Sequence, residues 1–191
     1  LLMNRPHRGI AWTNDGQGLA LAGGALFTGL SNGSLGNIQS WNDGCHDGSV
    51  LAVALSPDGS TALTGGESAN PDDAPEACLR DAATGALLQE HGITNSAAVH
   101  DVAWAPDGSQ FALLLDDQSG LYSGSTLLWQ QQVSLGSSFV GDGRSMAWRP
   151  DGAVIAFAVE GGSQVGLLDL SAGSSAAWAQ AAGPISDLAY S

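Results

Sequence analysis

One thirteen-residue pattern recurs four times along the chain. It reads GIAWTNDGQGLAL from Gly9, AVALSPDGSTALT from Ala52, DVAWAPDGSQFAL from Asp101 and SMAWRPDGAVIAF from Ser145, and a fifth copy opens as SDLAYS at Ser186. Its turn glycines, Gly16, Gly59, Gly108 and Gly152, are spaced by 43, 49 and 44 residues. A repeat of this length is one supersecondary unit that hides its apolar surface only against neighbouring copies. The repeat therefore restricts the chain to architectures of stacked, similar units.

The repeat is specific position by position. An alanine stands at Ala11, Ala54, Ala103, Ala147 and Ala189. It is preceded by an apolar residue (Ile10, Val53, Val102, Met146, Leu188) and followed by a bulky one (Trp12, Leu55, Trp104, Trp148, Tyr190). After the turn an apolar–alanine pair recurs as Leu19-Ala20, Phe111-Ala112 and Ile155-Ala156, with the order reversed in Ala62-Leu63. The Asn/Pro-Asp-Gly triplet between the runs makes a tight turn: aspartate bonds its own backbone and glycine accepts a positive φ. Asp15, Asp58, Asp107 and Asp151 are thus expected in a structural role beside the four glycines. Apolar runs on both sides define a hairpin, and runs apolar nearly throughout suit strands covered on both faces. The fixed alanine marks a place too crowded for a larger side chain. A period near 40–45 residues matches a four-stranded propeller blade.

The remainder of each unit also reads as strand, turn, strand. EACLRDAATGALLQEHG turns at Ala83-Thr84-Gly85, and SQVGLLDLSAGSSAAW turns at Ser171-Ala172-Gly173. GLYSGSTLLWQQQVSLG and GNIQSWNDGC are looser versions. No segment has helical amphipathic periodicity. The fold class expected is all-β, with blades over about 7–48, 49–98, 99–142 and 143–184 and the first strand of a further blade over 185–191. Together these make residues 1–191 a single partial domain.

These residues resemble the WD-repeat family. The fullest match is CHDGSVLAVALSPDGSTALTGGES followed by CLRDAATGALL. His46 falls where the family's Gly-His histidine belongs, with Cys45 in place of the glycine, and Arg80-Asp81 falls where its Trp-Asp dipeptide belongs. Trp41-Asn42 and Trp129-Gln130 read as partial dipeptides, and Asp169 follows Leu168 in the last unit. That unit, AWRPDGAVIAFAVEGGSQVGLLDL, is also similar to TolB-type propeller repeats. The resemblance implies a seven-bladed ring, of which four blades and one strand are present here. The remaining blades would come from a longer polypeptide or from another chain. It also implies a buried hydrogen-bond chain that only His46 could seed, so His46 is given a structural role.

Charge and composition narrow the function. Hydrophobic residues at 43% suit a folded chain, while five arginines against nineteen acidic residues give −14. Such a surface repels phosphate, which argues against nucleic acid and anionic membranes; it reads first as solubility with a compositional bias of the source genome and second as an acidic face that steers a basic protein partner. No apolar run is long enough to span a bilayer. A phosphate loop is excluded by the absence of lysine, and no G-x-S-x-G elbow occurs. The histidines His7, His46, His91 and His100 lack metal-ligand spacing, so no metal, cofactor or catalytic residue is expected. Cys45 and Cys78 are expected as free thiols in an intracellular, cytoplasmic setting. Asp72, Asp73 and Glu76 read first as a solvated loop and second as a partner contact. Trp12, Trp104 and Trp148 read as packing between blades, as do Trp41 and Trp129 near third strands. Trp178 lies outside the pattern and is the tryptophan best placed for an exposed partner contact.

The function expected is a non-catalytic protein–protein interaction scaffold, or a subunit of a larger complex. The alternative is a TolB-type or enzymatic propeller holding a small ligand or peptide in its central channel. Carboxylates or histidines converging at the axial mouth, near Asn42–Ser49 and Thr94–Val99, would favour that alternative.

Overall fold

The computed structural model describes residues 9–22, 25–28, 37–41, 45–69, 76–92, 98–115, 121–124, 129–133, 143–159, 163–172 and 174–190. They form sixteen strands in four antiparallel sheets of up-and-down order, with no helix among the described residues. Sheet one holds β1 (Ile10–Trp12), β2 (Gly18–Leu21), β3 (Ala25–Thr28) and β4 (Asn37–Ser40). Sheet two holds β5 (Val50–Leu55), β6 (Thr61–Gly66), β7 (Glu76–Asp81) and β8 (Leu87–Gly92). Sheet three holds β9 (Val99–Trp104), β10 (Phe111–Leu115), β11 (Leu121–Gly124) and β12 (Trp129–Val133). Sheet four holds β13 (Gly143–Trp148), β14 (Val154–Val159), β15 (Gln164–Asp169) and β16 (Ser174–Gln180). The expected all-β class is what the chain adopts.

The repeated hairpin has one turn geometry. Gly16, Gly59, Gly108 and Gly152 have φ of 67°, 73°, 72° and 73°. Each glycine N–H donates to the carbonyl three residues back, at 2.8–2.9 Å. Each turn aspartate accepts from the N–H two residues on: Gln17 to Asp15, Ser60 to Asp58, Ser109 to Asp107 and Ala153 to Asp151. The conformation needs glycine because a side chain at φ near +70° crowds its own backbone.

Register explains the alternation. Ala11 pairs with Ala20, Ala103 with Ala112 and Ala147 with Ala156, while Trp12 pairs with Leu19, Trp104 with Phe111 and Trp148 with Ile155. Sheets one, three and four therefore each have an alanine face and a bulky face. The alanine face of sheet three (Ala105, Ala112, Leu114) meets the bulky face of sheet four (Met146, Trp148, Ile155, Phe157). Leu63 and Leu79 of sheet two likewise meet Val102, Trp104, Phe111 and Leu113 of sheet three. The Trp148 indole N–H donates to the Ala103 carbonyl at 3.3 Å, pinning one sheet to the next. First strands touch in sequence, β1 on β5, β5 on β9 and β9 on β13.

Sheet two breaks the alternation: Leu55 pairs with Ala62 where the others pair tryptophan with a large residue. The missing volume between sheets one and two is filled by Trp41, buried with Ala20, Val53, Ala62 and Ala82, its indole N–H on the Ala82 carbonyl at 3.3 Å.

Four expectations need correction. GNIQSWNDGC holds only the fourth strand of sheet one; the third is Ala25–Thr28, because a short connection after β2 pairs Gly18 with Thr28. Trp41 and Trp129 therefore belong to fourth strands or their ends, and neither is the counterpart of Arg80-Asp81. Register gives that place to Phe27-Thr28 in sheet one, since Leu19 and Gly18 pair there as Ala62 and Thr61 do with Arg80 and Asp81. Residues 184–190 are not a strand; Asp187 and Leu188 instead bond the Ser145 hydroxyl of sheet four. Trp12 is 62% exposed, whereas Trp104 and Trp148 are each 8% exposed, because no sheet covers the bulky face of sheet one among the described residues.

Candidate functional site

The first strands converge on a cavity of about 360 Å³. It is lined by one column of the repeat, the residue two before the fixed alanine: Gly9, Ala52, Asp101, Ser145 and Asp187. His100 joins them. The column also laces neighbouring units together. Asp101 accepts the N–H of Met146 at 2.7 Å and that of Val102 at 2.9 Å. One unit further on, Ser145 Oγ accepts the N–H of Leu188, the counterpart of Met146, at 3.0 Å and donates to Asp187 at 2.9 Å. At the other end Gly9 lies so close to sheet two that a Cβ would stand 2.9 Å from the Val53 nitrogen. A carboxylate at Asp101 and a hydroxyl at Ser145 thus cap the next unit, and glycine stands in the column where Gly9 approaches the backbone of sheet two.

Burial pushes the Asp101 carboxyl up to about 7; Asp187 repels in the same sense, and the two N–H donors oppose it. Among the described residues the lining comes from the first strands of sheets one to four together with Gly9, Ser186 and Asp187, and none of it from the described parts of the two loops on which the sequence placed the mouth.

A second cluster lies within sheet two. Cys45 and Cys78 form a disulfide across a Cα–Cα distance of 6.6 Å, which corrects the expectation of free thiols. The two residues meet because the segment before β5 folds onto β6 and β7, where Thr64 pairs with Cys78. His46 is buried beside them, its Nε2 2.8 Å from Thr64 Oγ1, and that hydroxyl lies 3.5 Å from the Cys78 carbonyl. The ligand atoms of Cys45, His46 and Cys78 all lie within 4.8 Å of one another. Counting spacing along the chain missed this triad, since Cys78 is 33 residues from Cys45. Counting register from the Pro-Asp-Gly turn places Cys78 beside Thr64, but only the path of the segment before β5 brings Cys45 and His46 to them.

The other expected site residues are dispersed. The turn aspartates sit at the exposed ends of the hairpins, away from both clusters. The hydroxyls of Ser56 and Ser60 and the Ser60 N–H hold the Asp58 carboxyl down to about 2, so it stays ionised across the physiological range. Asp72 and Asp73 lie outside the described residues, and Glu76 opens β7. Trp178, in β16, is 69% exposed. Buried Arg80, in place of the family tryptophan, donates to the Gly85 carbonyl at 3.4 Å.

Residues 36–70 match the family model described as WD domain, G-beta repeat. The match begins at the fourth strand of sheet one and ends after the second strand of sheet two, so the sequence repeat straddles two sheets. The chain therefore carries a WD repeat within an all-β fold, in the segment where the sequence resembles the family most. WD repeats as a class mediate protein–protein contacts and are typically non-catalytic. Comparison with curated proteins finds no match.

Proposed function

We propose that the four sheets are consecutive blades of a WD-type β-propeller and that the chain acts as a non-catalytic interaction scaffold within a larger assembly. The supporting observation is the bulky face of sheet one. Ile10 and Trp12 are exposed there, while their counterparts Val53, Val102, Trp104, Met146 and Trp148 are buried against the preceding sheet. The occupant that fits is a further blade presenting an alanine face, supplied by the same polypeptide or by another chain. Exposed apolar area of this kind favours association. The −14 charge suits a basic partner.

Native mass spectrometry of the chain tests this reading. Self-association or capture of a blade-containing partner, reduced by Ile10→Ser with Trp12→Ser, is the expected outcome. A stably folded monomer indifferent to those substitutions would overturn it.

A second reading has its own support. His100, Asp101 and Asp187 converge on the axial cavity, an arrangement suited to a cationic group on a small ligand or peptide. A lysine- or arginine-containing peptide whose binding is lost in Asp101→Asn with Asp187→Asn, while assembly is unchanged, would establish it. Binding indifferent to both substitutions would remove it.

A further inference from the structure

We propose that Cys45, His46 and Cys78 form a redox-gated zinc site: closed as a disulfide when oxidised, and a two-thiolate, one-imidazole site for a single Zn²⁺ when reduced.

Three donors of the types zinc takes converge within 4.8 Å, all from buried residues. A tetrahedral zinc with bonds of about 2.0–2.3 Å holds its donors less than about 4 Å apart, so on reduction the two sulfurs move apart and the imidazole moves slightly inward to hold the ion. The chain has two cysteines in all, and both are here. A disulfide by itself requires no third donor. The histidine adjacent to Cys45 turns inward, as its place in the repeat implies, and the Thr64 hydroxyl orients it through Nε2. Orientation of one ring nitrogen by a neighbouring acceptor is characteristic of zinc-binding histidines. The surroundings are shaped for the ring: a Cβ at Gly66 would stand 3.1 Å from His46 Nδ1 and 2.5 Å from the Ser49 carbonyl oxygen.

Charge also balances. Two thiolates and a neutral imidazole carry −2, which Zn²⁺ cancels, so a site enclosed in sheet two buries no net charge. The protein's −14 surface draws cations rather than repelling them.

The redox step is a thiol–disulfide exchange. A dithiol reductant transfers two electrons and two protons to the Cys45–Cys78 bond, giving two thiols and leaving as its own disulfide. Zinc then displaces one proton from each thiol and bonds to the resulting thiolates. In the reverse direction a disulfide takes the two electrons from the thiolates and two protons from solvent, leaving as a dithiol, and the re-formed Cys45–Cys78 bond releases Zn²⁺. The proposal stands whether or not the arc binds a protein partner.

Cobalt(II) is the probe. The chain is reduced with a dithiol, freed of it anaerobically and titrated with Co²⁺. One equivalent is expected to bind with a thiolate-to-cobalt charge-transfer band, displaced by Zn²⁺, absent from the oxidised protein and lost in Cys45→Ser and Cys78→Ser. Thr64→Val, which removes only the orienting hydroxyl, should weaken binding about ten- to a hundred-fold. A reduced, folded chain without that band, or a band that survives Cys78→Ser, would overturn the proposal. Should the reduced chain unfold without metal, Zn²⁺ must restore its β-sheet circular dichroism; failure to do so leaves the pair a structural disulfide alone.

Discussion

At the scale of single residues, two buried ionisable groups set opposing pH dependences. Asp101 titrates near 3.8 when unfolded and at about 7 when folded, so the folded state keeps a proton that the unfolded chain has released. Its contribution is full below pH 3.8 and is lost as pH rises through about 7. His91, in β8 with its ring centroid 6.4 Å from that of Phe111, is lowered by burial from 6.5 to about 4. Its contribution is present above pH 6.5 and is lost as pH falls toward 4. Urea midpoints measured from pH 4 to 8 should therefore lose their decline toward alkaline pH in Asp101→Asn and their decline toward acid pH in His91→Gln. A wild-type slope in either variant would contradict the assignment. Gly59, at φ 73° with open space around it, tests backbone conformation alone: Gly59→Ala should cost on the order of 1 kcal/mol, seen as a lowered midpoint.

At the scale of elements, the sheets adhere through complementary faces, and each contact has its own anchor. Between sheets three and four the anchor is Trp148, and Trp148→Phe should lose about 1 kcal/mol with the indole hydrogen bond. Between sheets one and two it is Trp41, which compensates for the small Leu55–Ala62 pair. Trp41→Ala should cost about 3–5 kcal/mol by equilibrium denaturation, because the cavity opens among residues already small. Within sheet two the disulfide closes a loop across a separation of 33 residues, and reduction should lower stability by about 3–4 kcal/mol on the chain-entropy account. A melting temperature unchanged by reductant would count against that figure.

At the scale of the whole molecule, the four sheets form a directional stack. Sheet three meets sheet four alanine face to bulky face, whereas sheet two meets sheet three through Leu63 and Leu79 and meets sheet one through Trp41, so the stack has one direction but each contact its own filling. A stack of this kind adds stability through neighbour contacts, and its first bulky face remains sticky until another unit covers it. Trp12→Ser should therefore reduce self-association without lowering the melting temperature, since its ring is exposed. The same change at Trp104, packed edge-on to Phe111 with centroids 5.5 Å apart, should lower it sharply.

Strand, turn and repeat were legible from the amino acids alone because the interactions that make them are local. An aspartate bonds an N–H two residues on, a glycine takes φ near +70°, and alternating side chains mark two faces. Tertiary structure alone decided what lies across from what. It showed that Trp41 fills a neighbour's deficit, that Trp12 is left uncovered, that Cys78 returns to Cys45 and His46, and that Gly9, Ala52, Asp101, Ser145 and Asp187 form one column around a cavity. Those outcomes depend on strand register and on the stacking of whole sheets, which bring together residues tens of positions apart.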